Sequence, residues 1–152
     1  MKLAEALILR ADLQKRVQQL KQRLLRNAKV QEGDNPSEDP QELIEELERV
    51  VAQLTQLVQR INKTNAVTVL EGRRTVSDSL AARDALGIRQ GVYRELAQAA
   101  SVTQERYSSS EVRLESTVNV ADVQRRADAL AQEYRELDSR IQETNWSTEL
   151  SE

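Results

Sequence analysis

Residues 39–65 read DPQELIEELERVVAQLTQLVQRINKTN, and this stretch decides the fold. Asp39 is a good N-cap acceptor, Pro40 follows at the first helical position, and Glu42 stands three residues after the cap, the pattern of a capping box. Apolar residues then recur at Leu43, Leu47, Val50, Leu54, Leu57 and Ile61. That 3-4 spacing puts them on one face of an α-helix. Glu45 and Arg49 add a favourable i,i+4 pair. A seam this regular over more than two heptads predicts antiparallel coiled-coil packing on a neighbouring helix.

Working outward, residues 3–29 supply that neighbour. They contain no Gly or Pro, and Leu3, Ala6, Leu13, Val17, Leu20 and Leu24 form a second stripe, broken only by Arg10 and broadened by Leu7 and Leu25. Taken as helical to Lys29, this element is roughly 40 Å long at ~1.5 Å per residue. The connecting QEGDNPSED (31–39) is rich in turn formers. After Asn65, Thr68–Leu70, Glu71-Gly72 and Arg73–Val76 predict a small hairpin. Thr75-x-x-Asp78 predicts the cap of a third helix running to about Glu105, with Ala81, Ala85, Ile88, Val92 and Ala99 as its seam. Val112, Leu114 and Val118 alternate with polar residues and read as a one-face strand. Asn119 can cap a fourth helix carrying Val120, Val123, Ala127, Leu130, Tyr134, Leu137 and Ile141. The fold expected is mainly α: two long antiparallel helical hairpins forming a four-helix, coiled-coil-like bundle, with short β segments near 68–76 and 111–118.

Composition fits helix-on-helix contact. Hydrophobic residues are 39 % and aromatics 3 %, with no Phe, so narrow Leu/Val/Ile/Ala seams are favoured over a thick sheet-packed core. The 152 residues suit one domain. With no His and no Cys, there is no Ser-His-Asp or Cys-His catalysis, no thiol redox chemistry and no structural zinc site of the usual kind. No cofactor is implied, and an enzyme is the less favoured reading. The net charge of −3, with both signs interspersed, gives no basic field for nucleic acid. No run approaches the ~20 apolar residues of a membrane span, and no signal peptide is recognisable, so a cytoplasmic, non-membrane protein is expected.

An internal repeat is the most specific feature. Residues 60–70, RINKTNAVTVL, and 140–150, RIQETNWSTEL, share R-I-x-x-T-N-x-x-T-x-L, six identities in eleven at an offset of 80. The same offset superposes Leu57 on Leu137, Val50 on Leu130 and the cap Asp39 on Asn119. A weaker echo pairs Leu7, Arg10, Leu13 and Arg16 with Leu80, Arg83, Leu86 and Arg89. A single domain, 1–152, is thus expected to hold two copies, approximately 1–72 and 73–152.

The T-N-x-x-T element reads first as helix termination, Asn tolerating the left-handed conformation at a helix end. The functional alternative is an anion or carboxylate cradle of Arg60, Thr64, Asn65, Arg140, Thr144 and Asn145. Gly87 and Gly91, one turn apart, leave a groove for a close helix approach, and with Trp146 and Arg10 they are candidate contacts to a neighbouring subunit. Glu42, Glu45 and Glu46 partly match the paired carboxylates of an Mg²⁺ site, although acidic residues in a first turn also complement the helix dipole without any metal.

The segments LLRNAKVQEGD (24–34), ERYSSSEVRLESTV (105–118) and RIQETNWSTEL (140–150) give the chain an end-to-end resemblance to an uncharacterised bacterial family, common in actinobacteria and often labelled septicolysin. The label implies a cytolysin, but the family supplies no catalytic or ligand residues to carry over. Expected overall is a homo-oligomeric helical scaffold or binding protein of unknown partner. A small anion-binding protein is the alternative, with an Mg²⁺-dependent hydrolase or a cytolysin behind it.

Overall fold

The computed structural model describes residues 1–101 and 112–152. In chain order it contains α1 (Leu3–Arg26), α2 (Pro40–Val67), β1 (Val69–Glu71), β2 (Arg74–Thr75), α3 (Val76–Ala100) and α4 (Val120–Ser147). The chain is mainly helical, and α1 packs on α2 as α3 packs on α4.

The caps form where the sequence places them. Asp39 accepts from Gln41 N at 3.0 Å, Thr75 Oγ1 from Asp78 N at 3.2 Å, and Asn119 Oδ1 from Asp122 N at 3.1 Å. Helix α1 stops at Arg26 rather than Lys29, because Asn27 ends it: its side-chain amide donates to Arg23 O at 2.8 Å and its Oδ1 accepts from Glu38 N at 3.1 Å. The expected hairpin is the two-stranded β1–β2, turned through Gly72 at φ 58°, a left-handed conformation that suits glycine.

Two compact units divide the chain. One comprises Met1–Val69 with Gln142–Glu152, the other Leu70–Ile141. In the first unit α1 and α2 run antiparallel, since Arg16 pairs with Glu46 while Arg23, seven residues on, meets Glu38 with Nε 3.0 Å from Oε2. Their seams bury Leu3, Ala6, Leu13 and Leu20 against Leu43, Val50, Leu57 and Ile61, and Leu150 completes this core. The two terminal segments are stitched together there. Lys2 and Glu149 form an antiparallel bridge, Leu3 N donates to Thr148 O and Leu150 N to Met1 O, both at 2.9 Å.

In the second unit α3 and α4 are also antiparallel. Arg83 Nη1 lies 2.9 Å from Asp138 Oδ1, Gly87 stands against the Tyr134 ring, and the Arg126 guanidinium sits 4.6 Å over the centre of the Tyr93 ring. The α4 seam is as expected, with Ala127, Leu130, Leu137 and Ile141 buried. The α3 seam is not. Val76, Ser79 and Ala97 are its buried residues, while Ala81, Ala85, Ile88, Val92 and Ala99 are exposed, Ile88 by 70 % and Val92 by 59 %. The cause is that α3 is apolar on two opposite faces, so period alone does not say which one meets α4. Polar and aromatic contacts to Asp138, Tyr134 and Arg126 select the face opposite the expected one.

The strand expected near 111–118 is a second correction. Residues 112–118 carry no strand, and Val112 and Leu114 are 76 % and 78 % exposed. Alternation makes a strand only where a partner edge accepts its hydrogen bonds, and the β1–β2 pair is the sheet among the described residues. Residue 111 and the expected end of α3 beyond Ser101 lie outside the described residues.

Candidate functional site

The two R-I-x-x-T-N copies end their helices at matched positions, Val67 and Ser147. Thr68 N donates to Thr64 O at 2.9 Å and Thr148 N to Thr144 O at 3.0 Å, the same closing bond in both. Neither Asn is left-handed; among the described residues positive φ occurs only at glycines. Asn65 is half-buried and Asn145 is buried, so they finish their helices within the right-handed turn.

The arginines of the motif exchange partners between copies. Arg60 Nε donates to Ser151 O at 2.8 Å, and Arg140 Nη1 lies 2.6 Å from Glu71 Oε2. Ser151 and Glu71 are themselves 80 residues apart. Each arginine therefore holds the segment that leaves the other copy's last helix. Thr64 is 1 % exposed and its hydroxyl is used twice, donating to Arg60 O at 2.8 Å and accepting from Ser151 N at 2.9 Å. Arg60, Thr64 and Ser151 thus form one partly buried knot in the first unit, whereas Arg140 is held by Glu71 in the second.

Glu42, Glu45 and Glu46 stand in the first two turns of α2. Glu45 is near the Gln41 amide at 3.4 Å and Glu46 pairs with Arg16. Among the described residues no group of three or more acidic side chains converges to hold a metal ion. Shifted carboxylates occur where cations hold them. Arg23, by its hydrogen bond, keeps Glu38 below the ordinary carboxylate range, and Lys2 with the chain's amino terminus does the same to Glu149. Arg83 is held above its usual value: burial opposes the charge, but the hydrogen bonds it donates to Asp138 and Asp84, with Tyr134 nearby, outweigh it.

The four subunit-contact candidates separate. A Cβ on Gly87 would come 3.3 Å from Tyr134 Cε2, so this glycine serves the chain's own α3–α4 packing. It also opens a cleft of about 310 Å³ lined by Gln90, Ala131, Tyr134 and Arg135. Gly91 faces open space, and Trp146 is 56 % exposed. Arg10 is half-buried with its Nε enclosed and without a hydrogen-bond partner, and its counterpart Arg83 has the same orphaned Nε. Arg83 compensates through Asp138 and Asp84; the residues at the matched positions for Arg10 are Val58 and Ala11.

The feature the sequence reading misplaced is the outer face of α3. Ala81, Ala85, Ile88, Val92 and Ala99, with Leu96 at 38 % exposure beside them, make a continuous apolar stripe on the side away from the buried Ser79 and Ala97. The matched positions on α1, offset by 73, are Ile8, Asp12, Lys15, Gln19, Arg26 and, for Leu96, Arg23. One copy thus presents a charged outer face where the other presents an apolar one, on helices that close the same kind of hairpin.

Comparison with known proteins fits a chain whose chemistry is not written in its residue types. A family model, the family of unknown function DUF6847, matches residues 10–150. The chain belongs to this family. A solved structure similar over 99 % of both chains, at 45 % identity and a TM-score of 0.95, is the crystal structure of a functionally unknown conserved protein from Corynebacterium diphtheriae. Comparison with curated proteins gave no match. Neither match bears the septicolysin name. Among the described residues no helix is long and apolar enough to cross a membrane. The fold of this DUF6847 member is therefore a pair of helical hairpins, with an exposed apolar stripe on α3 among the described residues.

Proposed function

We infer that this protein is a helical scaffold that works by self-association through helix faces. The supporting observation is α3 itself. A helix that is apolar on two opposite faces is built to be covered on both, and α4 covers one. Exposed apolar stripes of this kind mark interaction surfaces. The test is sedimentation velocity from about 1 to 300 µM, a range bracketing the weak self-contacts expected of a single helix face. A weight-average mass that climbs from 17.3 kDa towards a multiple of it supports the reading; a constant monomer mass refutes it.

A second reading, binding of a small carboxylate or other anion, draws on Arg10, a half-buried guanidinium with no ion pair among the described residues where Arg83 has two. A partly desolvated cation gains most from an incoming anion. Melting temperatures that stay unchanged across phosphate, nucleotide and carboxylate additions dispose of this reading.

A further inference from the structure

We propose that the cleft between α3 and α4 beside Gly87 is a binding site for a small aromatic carboxylate, held by Arg135 and Gln90 with its ring against Tyr134. The site is independent of self-association, because every residue in it belongs to one unit of one chain.

Helical spacing builds the site. Gly87 and Gln90 stand one turn apart on α3, and Ala131, Tyr134 and Arg135 share a face of α4 at i, i+3 and i+4. With no side chain at position 87, the Cδ2–Cε2 edge of the Tyr134 ring faces bare backbone, and the space beside it is the cleft of about 310 Å³. That volume is at the low end of small-molecule sites and suits a ligand of one ring with its substituents.

The polar groups of the cleft are uncommitted. Arg135 makes no ion pair or hydrogen bond among the described residues. Its acidic neighbour one turn on, Asp138, is taken by Arg83 at 2.9 Å. The half-buried Gln90 amide is likewise without a partner among the described residues. A guanidinium fork with an amide donor nearby matches the two oxygens of a carboxylate. Ala131 and the Tyr134 ring supply the apolar and aromatic surface that a flat ring covers.

The duplicated hairpin is the internal comparison. At the matched positions α1 and α2 carry Gln14, Val17, Val51, Leu54 and Thr55, and Val17 and Leu54 pack against the hydrophobic core. One copy therefore has aliphatic packing and no cation where the other has a missing side chain, an amide, an aromatic ring and a guanidinium. Simple helix pairing along this seam uses the first set. The second set departs from it at five positions together, and each departure adds either space or a group that recognises an aromatic acid.

The test is an amide-resolved NMR titration of the full chain with benzoate, at low protein concentration. Shifts localise to Gly87, Gln90, Ala131 and Arg135, with a Kd on the order of 1 mM, as befits so small a ligand in an open cleft. Benzamide, which keeps the ring without the charge, and acetate, which keeps the charge without the ring, each bind about 10-fold or more weakly. Arg135→Gln keeps a strong helix former at an exposed position, so the rest of the spectrum is unchanged while benzoate binding weakens by about 10-fold. Ala131→Val installs the residue found at the matched position of α2 and weakens binding by narrowing the cleft. The assignment is overturned by the absence of shifts at these residues up to about 20 mM benzoate, by benzamide binding as tightly, or by an unchanged benzoate Kd in Arg135→Gln. Shifts centred on Arg10 also overturn it and favour the Arg10 anion reading. A constant monomer mass in sedimentation refutes the scaffold reading and leaves this site standing.

Discussion

Replacing Thr64 by Val tests the tertiary knot that joins the last residues of the chain to α2. The substitution keeps shape and volume and removes the hydroxyl. Thr64 Oγ1 serves as donor to Arg60 O at 2.8 Å and as acceptor for Ser151 N at 2.9 Å, and the residue is 1 % exposed. Arg60 O keeps its helical bond from Thr64 N, so loss of the donor costs little. Ser151 N has no substitute acceptor, and a deprived, partly buried donor costs about 1–2 kcal/mol. For a chain of this length that corresponds to roughly 2–8 °C in melting temperature. The local consequence is sharper than the global one. Ser151 O is also held by Arg60 at 2.8 Å, and Leu150, 7 % exposed, anchors the segment in the α1–α2 core. Weakening the knot should therefore raise amide exchange at Leu150 and Ser151 well before it affects Leu57 or Ile61. Hydrogen exchange read residue by residue is the deciding assay. Unchanged protection at Ser151 in Thr64→Val, with an unchanged melting temperature, would refute the reasoning that the motif is a clasp for the chain end.

The two glycines of α3 should respond differently to alanine in dilute protein. Gly91→Ala, with open space at its Cβ, gains up to about 1 kcal/mol in helix propensity, whereas Gly87→Ala gains little or loses, because its Cβ presses on Tyr134 at 3.3 Å; paired thermal melts measure the difference. Arg10→Met should leave stability unchanged or higher, since it removes an enclosed donor without a partner, while Arg83→Met strands Asp138 and lowers stability by about 1 kcal/mol in urea titrations. The pH dependence follows from Glu38 and Glu149, whose folded values lie below their unfolded ones. Their contribution is full above the ordinary carboxylate value of about 4.3 and is lost as pH falls through the lowered folded values. Urea midpoints should therefore decline below about pH 4.3, and Glu38→Gln with Glu149→Gln should flatten that decline.

The sequence by itself determined the helices, their caps and the small hairpin, because those depend on residues a few positions apart. Asp39, Thr75 and Asn119 cap by bonding amides two or three residues on, and Gly72 turns the hairpin by its own backbone freedom. The repeat was legible too, as identities at a fixed offset. Its contacts were not: Arg60 reaches Ser151 across 91 residues and Arg140 reaches Glu71 across 69, and no local pattern encodes such pairings. The stripe from Ala81 to Ala99 was read from its period, but its partner was assigned wrongly. Two faces of α3 satisfy the helical period, and only the partners on α4, Asp138, Tyr134 and Arg126, decide which face turns inward. Likewise Val112 and Leu114 alternate as a strand would, but strand formation depends on an edge supplied from elsewhere in the chain. Periodicity thus determined which residues share a face, and tertiary structure alone decided what each face meets.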